Sequence, residues 1–429
     1  MPAVSTCTEA PPAMPVAPPV ETLRQIVQRY GTPTYAYDLD RVRAQVAKLR
    51  ANLPSVVEIL YSLKANASLG LCGFIAGRGL GADVASAGEL LTAVEAGFPP
   101  ERIFVSGPDI SPAMLDHLQS VPAALVSIDS VSALRTLQET GSQGSQTVFR
   151  RGILRLRPSF CSLAACAAGP DTRFGLLMEE LPRCREFLAS GAVRVAGFHV
   201  FSGSQVLDAA AVIHHLRGAV EQSLRAAEVL GLVPELINLG GGFGIPYGPG
   251  DSELDLALVG QALQSLLQRA APARIVIELG RYLVAQAGWY LTTVIAHQTH
   301  QGRQAVVVDG GTHQRGDLCG LGLRRKAGPP VLLERRSSSL VPTDVLGCLS
   351  LPADVLAEGS ALPPLSPADV LAFPNAGAYG LTASPVLFHG HPAPAEVAFA
   401  GGTIEQIRAR ASTMSIVEAQ NRLRQIGTA

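Results

Sequence analysis

Only three of the chain's 34 basic residues are lysines: Lys48, Lys64 and Lys326. Arginine therefore serves wherever a plain positive charge is enough. A lysine is irreplaceable where a nitrogen must lose its proton and bond to carbon, which a guanidinium does not do. Lys64 closes the apolar run VEILYSLKA (57–65). At the end of a buried strand an amine would sit in a partly desolvated mouth, where its pKa falls and it becomes nucleophilic toward carbonyls. A second run, ELINLGGG (235–242), ends in Gly240, Gly241 and Gly242. Successive glycines let backbone N–H groups close on an anion. A third run, RIVIELG (274–280), carries Glu278 and Gly280 and is followed by Arg281, whose forked donors suit a phosphate. An amine for an aldehyde, a nest and a cation for a phosphate, and a carboxylate (Glu278) for a ring nitrogen suit pyridoxal phosphate. Flavin or sugar-phosphate binding also fits the lysine and the nest.

These residues need a scaffold that brings strand ends together. Eight short apolar runs recur, at 57–65, 81–86, 102–107, 123–129, 152–157, 195–203, 235–242 and 274–280, separated by helix-like stretches such as AAVIHHLRGAVEQSLRAAEVLG. Apolar strands alternating with helices imply a parallel sheet covered on its faces. Eight such units predict an α/β fold, a closed (β/α)8 barrel, with a doubly wound open sheet as the alternative. In a barrel the chemistry sits at the C-terminal strand ends, and phosphates bind at the loops after strands seven and eight. After residue 280 the pattern turns to strands punctuated by Pro and Gly, a second, β-rich domain. The expected division is a Pro/Ala-rich disordered leader over 1–20, a barrel over 40–280, and a β-rich domain built from 21–39 together with 281–429. The early strand TYAYDLD (34–40) is thus assigned to the β-rich domain.

Composition narrows the function classes. Hydrophobic residues at 47% against 16% charged allow a large core and exclude overall disorder. A net charge of −1 gives no field for nucleic acid or anionic membranes. No apolar run is long enough to span a bilayer, and the N-terminus lacks a secretory signal pattern. Seven cysteines without CxxC pairs argue against a disulfide framework or structural zinc. A cytoplasmic enzyme is expected.

In order along the chain, YSLKAN, GADVASAGEL, GFHVFSGSQ, INLGGGFGIPY, IELGRYLVAQAG, VVVDGG and NAGAYG resemble the alanine-racemase-like barrel decarboxylases. These fold-type III pyridoxal phosphate enzymes include diaminopimelate, ornithine and arginine decarboxylases. The resemblance runs from about residue 30 to residue 400. It implies pyridoxal 5'-phosphate as cofactor and a homodimer whose active sites are shared between subunits. It further implies that Lys64 bonds covalently to the cofactor. Gly240 to Gly242, Ser204 and Arg281, with Gly280 beside it, would hold the phosphate, and Glu278 the pyridine nitrogen. Arg155 would lie near the cofactor and Tyr379 would reach it from the partner subunit. Asp83 and Glu89 match polar positions around the lysine.

Three departures from the family pattern bear on substrate and mechanism. Where the family reads H-x-G-S with a histidine stacked on the cofactor, this chain has Phe201, with His199 two residues earlier on the same strand face. Phe201 is expected to stack, with His199 beside it. In GCLSLPAD (347–354), Ser350 takes the position of the family's proton-donating cysteine, and Cys348 lies two residues before it. A hydroxyl is a far weaker acid than a thiol. Cys348, Ser350 or a water relayed by Ser350 are the candidate donors. The run GTHQRGDLCGLGLRRKAG (311–328) replaces the R-P-x-x-Y stretch with which diaminopimelate decarboxylases grip the distal end of their substrate, and Leu351 replaces an acidic residue. PNAGAYGLTASPV and FHGHPAP resemble a natural-product and siderophore subgroup that acts on amino acids tethered to a carrier protein or conjugated. The expected function is α-decarboxylation of such an amino acid. The alternatives are diaminopimelate decarboxylase, an amino-acid racemase and a non-catalytic cofactor-binding paralogue. His389 and His391 in HGHP are spaced by two, which alone makes no metal site, and no metal is expected.

Overall fold

The computed structural model describes residues 19–420 except 109, 142–149, 161–172, 189–192, 249, 301, 320–327 and 335–338. The leader expected over 1–20 lies outside the described residues through 18, and Val20 already begins the helix Val20–Tyr30.

Parallel strands buried on both faces have no polar side to present, which is why the barrel strands read as largely apolar runs. Eight of them close a barrel: β1 (Glu58–Ser62), β2 (Gly81–Val84), β3 (Ile103–Val105), β4 (Leu125–Ile128), β5 (Arg150–Leu156), β6 (Val193–Val200), β7 (Leu236–Gly241) and β8 (Arg274–Leu279). β8 pairs with β1 in parallel, so the ring has no free edge. Leu60, Phe104, Leu125, Ile153, Leu236 and Val276 form a buried cluster drawn from six of the strands. Side chains thus fill the barrel rather than leave a channel. Helices Ala209–Leu230 and Leu256–Ala270 start on the side-chain caps of Asp208 and Asp255.

The chain divides into two compact units. Among the described residues, one comprises 45–62 and 76–282 and contains the barrel strands; the other comprises 19–44, 63–75 and 283–420. The second unit is built on a nine-stranded sheet. Its main path runs Val355–Leu362, Val341–Leu346, Arg303–Val308, Gly288–His300, Thr34–Asp38, Ala395–Ala400, Thr403–Arg408. The early strand Thr34–Asp38 lies between Gly288–His300, antiparallel, and Ala395–Ala400, parallel. Tyr35, Tyr37, Tyr290 and Phe373 anchor its core. The segment Leu63–Ile75 groups with this second unit, although it follows β1 directly in sequence.

Candidate active site

Parallel register lines up one belt of polar residues across adjacent barrel strands. Arg155 on β5 pairs with His199 on β6, and His199 with Asn238 on β7. Glu278, next to last on β8, pairs with Gly241 and with Leu60. Glu278 is 5% exposed and accepts from Asn238 Nδ2 at 2.6 Å. His199 is buried, with Nδ1 2.9 Å from Ser127 Oγ and Nε2 3.6 Å from Glu278 Oε1. Burial pulls the Arg155 pKa down, opposed by the negative charges of Glu278, Asp129 and Asp83. Its guanidinium lies 4.9 Å from the Phe174 ring centre. Asp83 is buried on β2 and accepts from Ser106 Oγ. Glu89 caps a helix: its Oε2 accepts from Ala85 N at 2.7 Å, while its own N–H donates to Ser86 Oγ. Both bonds fasten the start of that helix, a local structural purpose.

The loops after β6 and β7 form one cradle. Gly240 and Gly242 have φ of 65° and 100°, backbone that favours glycine. A Cβ on Gly240 would meet Phe201 and Val200 O at 2.9 Å, and one on Gly242 would lie 2.3 Å from Gly203 O. Glycine is thus required for the two loops to approach. Val206 N donates to Gly242 O, and Gly244 N to Val206 O, at 2.9 Å each. The Gly240 N–H is taken by Asn238 Oδ1 at 2.9 Å, so this glycine shapes the turn. Ser202 and Leu239 O hold His215 between them, at 2.5 and 2.6 Å. Burial lowers the His215 pKa to about 4. Arg281, 6% exposed, starts the short helix Arg281–Val284 and donates to Tyr247 Oη at 2.9 Å. The half-buried Ser204 and Gly280 complete the set. A closely packed glycine cradle beside a buried arginine is the donor arrangement a phosphate requires. A buried carboxylate on the adjacent strand, Glu278, in register with Gly241, suits a pyridinium nitrogen.

Residues 39–285 match the family described as pyridoxal-dependent decarboxylase, pyridoxal binding domain. That match spans more than half of the chain, including every barrel strand.

The chain belongs to the pyridoxal-dependent decarboxylases.

Pyridoxal phosphate is its cofactor, and the cradle above fits that group. Among curated relatives, the chain is 33% identical over 408 residues to the L-glutamyl-[BtrI acyl-carrier protein] decarboxylase of Niallia circulans, covering 92% of this chain and 95% of that one. It is 28% identical to the diaminopimelate decarboxylase of Methanothermobacter thermautotrophicus, covering 92% and 93%. The Helicobacter pylori diaminopimelate decarboxylase complexed with L-lysine shares the fold, with a TM-score of 0.82 at 24% identity over 92% of this chain and 98% of that one.

In this decarboxylase Lys64 is the middle residue of a 3-10 turn, Leu63–Ala65, directly after β1. Its side chain is exposed, not half-buried as a strand-end lysine was expected to be, because the turn carries it past the strand. The turn is fastened from the far end of the sequence: Tyr379 N donates to Ala65 O at 2.6 Å, and Asn66 Nδ2 to Gly377 O at 3.0 Å. Tyr379 has a φ of 55°. Cys348 is half-buried, 3.7 Å from Asp309 O and 3.8 Å from His391 Nε2 through sulfur, whereas Ser350 is exposed. Burial, reinforced by Asp354, pushes the Cys348 thiol up to about 11. Arg315 is fully buried, forked onto Asp317 at 3.0 and 2.9 Å between the rings of Tyr290 and Phe373.

Sequence reasoning missed Asn238, Ser127, His215 and Tyr247, which position the others. Their signal was available: a lone polar residue inside an apolar strand is buried and must be hydrogen-bonded. A cavity of about 660 Å³, lined by Val57, Glu58, Arg102 and Arg274, opens at the N-terminal strand ends. It lies opposite the end where barrel chemistry occurs.

Proposed function

We propose that this decarboxylase removes the α-carboxylate of an amino acid presented on a carrier protein or as a conjugate, in secondary-metabolite or siderophore biosynthesis, as a cytoplasmic homodimer with shared sites. The observation that carries the tethered reading is Arg315. It is the arginine of the described stretch 311–319 that replaces the substrate-gripping run, and it is locked on Asp317 inside the sheet unit. There it is fully buried and presents no exposed cation to a distal carboxylate. The likeness to an acyl-carrier-protein decarboxylase supports the same reading.

In this reading Lys64 is the residue that would hold the cofactor, through its Nζ. Gly241, Gly242, Ser204, Gly280 and Arg281 bind the phosphate, with Gly240 shaping the loop. Glu278, aimed by Asn238, holds the proton of the ring nitrogen, while His199 positions Glu278 from Ser127. Phe201 covers the ring, Arg155 and Asp83 set the charge around it, and Tyr379 closes the site of the partner. When bound, pyridoxal phosphate would supply the electron sink that decarboxylation needs. Ser350, exposed where Cys348 is turned inward, relays a water proton to the substrate's α-carbon from its Oγ.

The test compares carbon dioxide release from one amino acid free and as a thioester on an acyl-carrier protein. Release from the tethered form alone is expected. Equal or faster turnover of free diaminopimelate would favour the lysine-pathway reading. Solvent deuterium at Cα without carbon dioxide release would mean a racemase, and no turnover at all a non-catalytic paralogue.

A further inference from the structure

Three metal-ligating side chains of the second unit converge, and one of them, His313, lacks the hydrogen bonds its burial calls for. His313 sits in the 3-10 turn Thr312–Gln314, after strand Arg303–Val308. Cys348 follows strand Val341–Leu346, and His391 follows the turn Phe388–Gly390. One ligand atom from each lies within 4.8 Å of the other two. The His313 and His391 rings are 4.9 Å apart, centre to centre.

His313 is the informative member. It is 2% exposed, and both Nδ1 and Nε2 are buried with no hydrogen-bond partner among the described residues. A neutral imidazole always has one N–H to place, and leaving its hydrogen bond unmade in the interior is unfavourable. Facing it are a second imidazole and a thiol, a set that suits a thiophilic cation better than it suits a hydrogen-bond chain. The backbone is already stapled around the three. Asp354 accepts from Thr312 N, Thr312 Oγ1 and Leu349 N at 2.7, 2.9 and 2.8 Å, and Cys348 N donates to Gly310 O at 3.0 Å. One buried carboxylate thereby fixes the segments that carry His313 and Cys348, the outer support a metal site uses.

We propose that His313, Cys348 and His391 form a zinc site with a fourth, open position. Tetrahedral zinc, with bonds of about 2.3 Å to sulfur and 2.0–2.1 Å to nitrogen, puts its ligand atoms roughly 3.5 Å apart. The three donors therefore need to close by about 1 Å. Binding replaces the thiol hydrogen with the metal and releases one proton to solvent, leaving a zinc-thiolate of net single positive charge. Cys348 and His391 are half-buried, which leaves access for the metal and for a fourth ligand. Magnesium and calcium, which prefer oxygen, have no suitable donor set in these three side chains. The site lies two residues from Ser350, so an occupied site would fix the loop that carries that hydroxyl.

The experiment uses the full-length holoenzyme, cleared of metal with a chelator and titrated with zinc against a chromogenic competitor. One equivalent should bind, and X-ray absorption should show one sulfur and two nitrogen neighbours. Cys348→Ser, a near-isosteric change whose folding is checked by thermal melting, should abolish the sulfur neighbour. Both Cys348→Ser and His391→Ala should weaken zinc by more than the roughly 10–100-fold that loss of a supporting partner costs. Cys319→Ser, at another half-buried thiol, should bind as the parent does. Failure to retain zinc at micromolar concentration would overturn the site. So would a sulfur signal that survives Cys348→Ser or disappears with Cys319→Ser.

Discussion

Each of the site's charged residues is expected to have a separable effect. Borohydride reduction of the holoenzyme followed by peptide mapping should leave the pyridoxyl group on Lys64; an adduct on Lys48 or Lys326 would refute that assignment. Arg281→Ala removes a charge-assisted contact worth about 1.5–3 kcal/mol, so cofactor affinity should fall by roughly 10- to 150-fold; an unchanged cofactor titration would count against Arg281 as a phosphate ligand. Ser350→Ala should lower kcat by up to roughly 100-fold, the lower range of general-acid catalysis, with cofactor affinity unaltered. Lys64, Glu278 and Arg281 were legible in the sequence because they are charged residues that terminate apolar runs. Asn238 and Ser127 were not, since an uncharged polar residue inside a strand signals burial but not which partner it serves. The Cys348–His391 approach was hidden for another reason: its members lie 43 residues apart, and only the return of the last strands brings them together.

At the scale of elements, the two loops of the phosphate cradle depend on glycine and on His215. Gly242→Ala places a Cβ against Gly203 O in backbone at φ 100°, strain of order 1–3 kcal/mol. The variant should bind the cofactor roughly 5- to 150-fold more weakly while keeping its barrel circular dichroism. His215 is neutral in the folded chain with a pKa of about 4 against an ordinary 6.5. Its contribution is intact above pH 6.5. As the pH falls toward 4 the unfolded chain takes up the proton first, and the folded state loses up to ~3 kcal/mol. Melting temperature should therefore drop from pH 7 to 4.5, and drop less in His215→Gln. Equal slopes would refute the linkage. The eight barrel strands were readable because burial on both faces leaves a largely apolar signature. The sheet of the second unit was readable as strands but not in its order, because neighbours distant in sequence leave no local periodicity.

For the whole molecule, the expected shared site makes a prediction that no single chain can satisfy. Lys64→Ala and Tyr379→Ala, each inactive alone, should restore activity when their subunits are exchanged, because a mixed dimer rebuilds one of its two sites. Verified exchange without recovered activity would rule out sharing. The position of Thr34–Asp38 beside Ala395–Ala400 also dictates a timetable for synthesis. The barrel strands are contiguous from Glu58 to Leu279 and can close while the ribosome is still at work. Thr34 is made before all of them, yet its partner Ala395 emerges about 360 residues later, some ~20–70 s at roughly 5–20 residues per second. Until Gly288–His300 emerges that strand lacks a partner on both edges, and from then until Ala395 on one, exposed to pairing with other nascent chains. A stalled or truncated message therefore releases a finished barrel bearing an adhesive N-terminal strand, and the last strands of the chain act as the cover for the first.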